Sequence, residues 1–180
     1  MEIPITQLQT VIDAVHEKGH YTPLIIDPTG RADVYFQYAT NCKIVDFKKF
    51  LVQCEIQKIT NPQAVLEEIR TSLVSGLKHG KCMVMVMMDS AFDFPKWFDS
   101  AWFPKEVLEK GGIPFREKHV YEKCLRNEDF DDLGMFWANE DFPFRVVLTT
   151  NFDVDEYQEF LEDAIQLEKY MPIAIKKELI

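Results

Sequence analysis

Seven consecutive apolar residues, Cys82–Met88 (CMVMVMM), end abruptly at Asp89. The run is short and does not alternate, so a strand built from it is apolar on both faces. Such a strand needs cover on both sides, a condition met inside a parallel sheet sandwiched between helices. Pro23–Ile26 (PLII) and Arg145–Thr150 (RVVLTT) are further apolar runs, ending at Asp27 and Asn151. These three segments are expected to be the central, parallel strands.

Helical patterns lie between them. Thr6–Lys18 keeps Leu8, Val11, Ile12 and Val15 on one face, with Gly19 as the stop. Ala32–Ala39 reads as a helix start and Cys42–Phe47 as a further strand. Pro62–Leu77 carries Asn61 as N-cap, proline at its first position, and an apolar face of Val65, Leu66, Ile69, Leu73 and Leu77 closed by Gly80. Phe103–Lys110 is expected to be a short helix stopped by Gly111-Gly112, and Glu128–Asp132 an acidic loop. Asp155–Glu168 reads as a helix with Phe160, Leu161, Ala164, Ile165 and Leu167 inward, and Pro172–Ile175 as a last strand. Strands alternating with helices give a doubly wound α/β sheet. No linker divides the 180 residues, so one domain is expected: a leading helix over 1–20 and a core over 21–176.

The net charge of −10 opposes binding to phosphate backbones or anionic lipid, so neither nucleic acid nor a membrane surface is an expected partner. The best local basic patch, Lys43–Lys49, is weak. No 18-residue apolar run is present, no secretory leader is expected from the opening residues, and the scattered Cys42, Cys54, Cys82 and Cys124 suit reduced, mostly buried thiols. A cytoplasmic location is expected. His16 and His20 share H-x-x-x-H spacing, but Gly19 beside them and the lack of an acid-rich motif argue against a metal.

Ligands of open α/β sheets bind beyond the carboxyl ends of the strands. Past PLII comes Asp27-Pro28-Thr29-Gly30-Arg31-Ala32-Asp33-Val34. A working phosphate loop is G-x-x-x-x-G-K-[ST], whose lysine neutralises phosphate and whose hydroxyl holds magnesium. On that template Asp27 stands at the first glycine, Ala32 at the second, Asp33 at the lysine and Val34 at the hydroxyl. A carboxylate about 4 Å from a phosphate charge costs roughly 1–4 kcal/mol per charge pair. The loop is therefore expected to bind ATP or ADP weakly or not at all, with no catalytic residue and no metal. Asp33, Asp89 and Asn151 are expected around one crevice, without a compensating lysine.

The order of strand, Asp-Pro-Thr-Gly turn, helix, apolar strand ending in Asp and apolar strand ending Thr-Thr-Asn resembles an AAA-type ATPase large subdomain, a P-loop NTPase fold. TPLIIDPTGRADVYFQY, LEEIRTSLVSGLKHGKCMVMVMM and FPFRVVLTTNF are similar to segments of the fifth AAA module of dynein heavy chains, whose phosphate loop is degenerate. The likeness spans roughly residues 5–175. It implies that Asp89 is the acid of a Walker B strand and Asn151 the sensor residue. It also implies a pseudoenzyme that serves as a scaffold or protein-interaction module, with a cytoskeletal or ciliary partner. Motor activity is not implied, because the chain has no room for the other ring modules or a stalk. The alternative is a P-loop-type ATPase or kinase with an atypical phosphate loop.

Phe92–Phe103 (FDFPKWFDSAWF) holds six aromatics in twelve residues. Its polar interruptions suit a surface segment, so Trp97, Phe98, Trp102 and Phe103 are candidate partner-binding residues, with Trp97 and Trp102 as anchors. The competing reading is that the same rings are core.

Overall fold

The structure, a computed structural model, describes residues 1–177. Six strands form one sheet: β1 (Glu2–Ile3), β2 (Thr22–Ile26), β3 (Cys42–Asp46), β4 (Cys82–Val86), β5 (Arg145–Thr150) and β6 (Tyr170–Ile175). They lie in the order β1-β6-β2-β5-β4-β3, and every pairing is parallel. Without the two-residue edge strand β1, the remaining five in chain order lie 5-1-4-3-2, consistent with a P-loop-like α/β fold. The three apolar segments form β2, β5 and β4, side by side in the sheet interior.

Residue alternation sends each strand's side chains into two cores. On one face, Leu8, Ile12 and Val15 of α1 (Leu8–Lys18) and Ala32 and Phe36 of α2 (Arg31–Tyr38) cover Ile25, Val84, Val86, Val147 and Ile173. On the other, α3 (Phe47–Leu51) and α4 (Pro62–His79) cover Leu24, Ile26, Met83, Met85, Val146 and Leu148. The methionine run is thus packing. Helix ends follow the sequence: Asn61 Oδ1 accepts from the Ala64 amide at 2.9 Å, and Gly19 and Gly80 close α1 and α4 at φ 64° and 63°.

Two expected helices are corrected. Phe103–Lys110 is a single 3-10 turn, Lys105–Leu108, after α-excluded Pro104 at ψ 140° and before extended Glu109. Asp155–Glu168 shrinks to α6 (Tyr157–Leu161) and a turn at Leu167–Lys169. Asp155, Glu156, Glu159, Glu162 and Asp163 repel one another at helical spacing, with no basic residue among them. Leu161, Ala164 and Ile165 are buried as expected, but Phe160 is exposed and stacks on Phe152 at 4.5 Å. A short α5 (Lys118–Tyr121) completes the helices.

The expected aromatic surface is corrected at Phe103, while Trp97, Phe98 and Trp102 are half-buried. Phe103 is fully buried, with Phe92 and Phe94, in the core around Phe47. Trp97 stacks on Phe92 at 5.3 Å, and Phe98 meets the Phe103 ring edge-on at 5.5 Å. Trp102 Nε1 donates to Glu67 at 3.2 Å, under the Arg126 guanidinium. The face of the sheet next to α3 is too broad for one 18-residue helix, and this segment supplies the rest of its cover.

Candidate functional site

The strand order reverses at β2 and β5. The chain leaves β2 for β3 on one side, and leaves β5 for β6 on the other. Their carboxyl ends therefore mark the crevice where α/β folds bind ligands.

At the end of β2, Asp27 is 1% exposed and its carboxylate points into its own turn. Oδ1 accepts from the Thr29 amide at 3.0 Å and the Thr29 hydroxyl at 2.5 Å; Oδ2 accepts from the Ala32 amide at 2.6 Å. The amide of Gly30 bonds the Asp27 carbonyl at 3.1 Å, closing the turn, with Gly30 at φ 72°. A phosphate loop aims such backbone N–H groups at a ligand anion. Here the anion is the side chain of residue 27.

Asn151, at the end of β5, bridges the next layer. Its Nδ2 donates to the Asp27 carbonyl at 2.9 Å and to Asp33 Oδ2 at 3.2 Å. Asp33 Oδ1 accepts from the Thr149 hydroxyl at 2.6 Å. Burial raises the Asp33 carboxyl above its ordinary value, and the bonds from Thr149 and Asn151 oppose that rise. The position of the phosphate-loop lysine thus carries a carboxylate tied to β5. Arg31 turns away: Nε donates to the Thr29 hydroxyl at 3.1 Å, and Nη2 donates to the Lys176 carbonyl beyond β6. Pro28 is half-buried and Val34 exposed on the outer side of the turn.

Asp89 departs from the expected crevice. Its backbone neighbour Met88 accepts from the Asn151 amide at 2.8 Å and the Thr150 hydroxyl at 3.1 Å, so the strand ends do meet. The Asp89 side chain is exposed and pairs with Lys48, whose ammonium holds the carboxyl below its usual range. A lysine does compensate one carboxylate, contrary to expectation, and two of the three lysines of the candidate basic patch are paired: Lys48 with Asp89, and Lys49 with Glu68 at 3.6 Å. Asp27, Asp33 and Asn151 are brought together; Asp89 stands outside the group.

Three features escaped the sequence reading. Thr149 belongs to an apolar strand end with no local mark of a site, yet it and Asn151 hold Asp33. Arg70 is 0% exposed on α4 and binds Asp129 at 2.6 Å, Glu67 at 2.6 Å and the Cys124 carbonyl at 2.9 Å. Nothing in the α4 pattern flags it except an arginine next to the apolar Ile69. Cys42 and Cys82, forty residues apart in sequence, face each other in the β3–β4 register. Among the described residues no group of three or more His, Cys, Asp or Glu is arranged to hold a metal ion.

No family model matches the chain, and the search of curated proteins returns no match. No helix of the described residues is long and apolar enough to cross a membrane.

Proposed function

We propose that this chain is a non-catalytic, P-loop-like domain that works by binding another protein. One observation carries the reading: the Asp27 carboxylate already fills the backbone N–H cradle that a phosphate needs. An incoming phosphate must displace three short hydrogen bonds to a buried carboxylate, then meet Asp33 where a lysine is required. Both steps oppose binding, each by more than about 1 kcal/mol. No glutamate stands beside Asp89 to activate water, since Ser90 follows it. The resemblance to the degenerate fifth AAA module of dynein heavy chains adds a setting: a cytoskeletal or ciliary scaffold in the cytoplasm, without ATP or ADP as cofactor.

Titration calorimetry with magnesium-ATP tests this. The expected result is no heat of binding at ATP concentrations up to about 1 mM, where a dissociation constant corresponds to about 4 kcal/mol. Micromolar affinity refutes the reading, and ATP turnover abolished by Asp89→Ala refutes it more strongly.

A further inference from the structure

Phe103 is core and Trp97, Phe98 and Trp102 are half-buried, so the largest fully exposed apolar side chains concentrate elsewhere. Between Phe130 and Phe142, Leu133 is 84% exposed, Trp137 65% and Phe142 70%, with Phe130 and Met135 also exposed. Single exposed apolar residues are ordinary, but five large ones within thirteen positions are a local concentration, and Phe130, Met135 and Trp137 line one cleft together.

The backbone beneath them is held in place. Asp131 Oδ1 accepts from the Leu133 and Met135 amides at 3.0 and 2.8 Å, and the Asp131 amide donates to the Met135 carbonyl at 2.9 Å. Gly134 sits inside that turn at φ 71°. The Asn139 amide donates to the Leu77 carbonyl at the end of α4, and Asn139 Oδ1 accepts from the Phe142 amide at 2.7 Å. The Phe142 backbone lies against Gly80, where any Cβ would strike its carbonyl oxygen. Phe136 folds inward onto Tyr121 at 5.6 Å. The apolar side chains are therefore presented outward by a segment pinned at its turn and at its base. Pre-organisation of this kind lowers the ordering cost of binding. Two clefts, of about 510 and about 490 Å³, flank the ridge and share Lys118, Tyr121, Phe136 and Trp137.

Charge selects the occupant. From Asn127 to Phe144 the chain carries six carboxylates and no lysine or arginine. Glu128 and Asp129 are taken by Arg70. Asp131, Asp132, Glu140 and Asp141 are exposed, and none of them forms an ion pair among the described residues. Two cations line the clefts: Arg116 is half-buried and bound to the Phe144 carbonyl at 2.7 Å, and Lys118 is exposed, so the four exposed carboxylates outnumber the one exposed cleft lysine.

We propose that the Phe130–Phe142 ridge docks a basic amphipathic segment of a partner protein, its apolar face over Trp137 and its lysines or arginines against Asp132, Glu140 and Asp141. This rests on the protein-binding reading above and names the partner's chemistry. An anionic membrane is disfavoured by the same carboxylates.

The probe is a fluorescent amphipathic peptide of leucine and lysine, about 18 residues long. A matched leucine–glutamate peptide and phosphatidylserine vesicles serve as controls. The lysine peptide is expected to bind, with affinity falling as salt rises from about 50 to 300 mM. Trp137→Ala should weaken binding at least about thirtyfold, as an interface anchor does. Asp132→Asn/Glu140→Gln/Asp141→Asn should weaken it about tenfold and flatten the salt dependence. Tyr38→Ala, an exposed aromatic on α2, should change nothing. All three variants alter exposed side chains, and an unchanged melting temperature shows that their fold persists. Equal binding of the glutamate peptide, binding to the vesicles, or full affinity in Trp137→Ala overturns the proposal. Failure of the lysine peptide while ATP also fails to bind removes this surface alone; ATP turnover removes the reading beneath it.

Discussion

Asp27→Ala separates a carboxylate that holds the loop from one that merely sits in it. The substitution leaves the Ala32 amide, inside a buried residue, without its 2.6 Å acceptor. Stranding a buried donor costs roughly 1–3 kcal/mol. The Thr29 amide and hydroxyl also lose their acceptor, but Thr29 is exposed and water replaces much of the loss, at about 0.5 kcal/mol each. The sum is about 2–4 kcal/mol, or a drop in melting temperature of about 4–16 °C for a chain of this size. Asp27→Asn keeps one acceptor oxygen and should lose about half as much. Urea unfolding measures both, with the midpoint falling and the slope unchanged. A loss under about 0.5 kcal/mol for Asp27→Ala refutes the reasoning, because the N–H groups then need no internal anion. The loop would be open to an external one.

Four further outcomes follow from the packing. His16 is buried on α1 with Nε2 donating to the Val146 carbonyl at 3.0 Å, and burial lowers its pKa to about 4. The unfolded chain protonates this ring below about pH 6.5 and the folded chain only near 4, so stability should be full above 6.5 and fall by up to about 3 kcal/mol as pH drops to 4. His16→Gln should flatten that slope in acid unfolding curves; an unchanged slope assigns it to other groups, since the raised Asp33 acts in the opposite direction. Arg70→Met should cost about 3–5 kcal/mol by leaving Glu67 and Asp129 beside a buried gap, and a loss under 1 kcal/mol in urea unfolding counts against a structural role. Phe92→Ala should cost about 3–5 kcal/mol and Trp97→Ala somewhat less, in thermal melts; unchanged melts would return the segment to the surface. Cys42, whose thiol is lowered by its hydrogen bond with Cys82, should alkylate ahead of buried Cys124, whose thiol burial pushes up to about 12; peptide mass mapping reads the order, and the reverse order contradicts the packing.

The sheet was legible because its signal is local: runs such as CMVMVMM and RVVLTT admit few other fates, and their termini fell within two residues of the strands found. Asn61 and Gly80 announced α4 by cap chemistry alone. Two expectations failed, one for a local reason and one for a long-range reason. Asp155–Glu168 has helical periodicity, yet its carboxylates repel and only one turn survives. The FDFPKWFDSAWF segment looked polar enough for a surface, but tertiary demand for cover beneath α3 and α4 drew Phe92, Phe94 and Phe103 inside. At the site, the loop's position could be read, since a turn after a buried strand is a local feature. That Asp27 would fill its own cradle could not, because it depends on how the turn closes.

The same wiring bears on whether this crevice could ever open. Asn151 holds the carbonyl of residue 27 and the carboxylate of residue 33 at once, so it clamps β5 to both ends of the turn. Thr149 adds a second tie to Asp33, and Met88 binds the backbone of Asn151 and the hydroxyl of Thr150. Met88 pays for this with a left-handed backbone at φ 52°, a conformation costing a non-glycine residue about 1 kcal/mol. A ligand entering between β2 and β5 would have to break the Asp27 bonds, the Asn151 bridge and the Thr149 tie together. Each bond to a carboxylate is worth about 1.5–3 kcal/mol net, so an entering anion at best replaces these bonds and still meets the Asp33 charge without a lysine. The carboxyl ends of the strands therefore behave as a fastener for the sheet, and the proposed docking role falls to the Phe130–Phe142 segment, which is pinned to the end of α4.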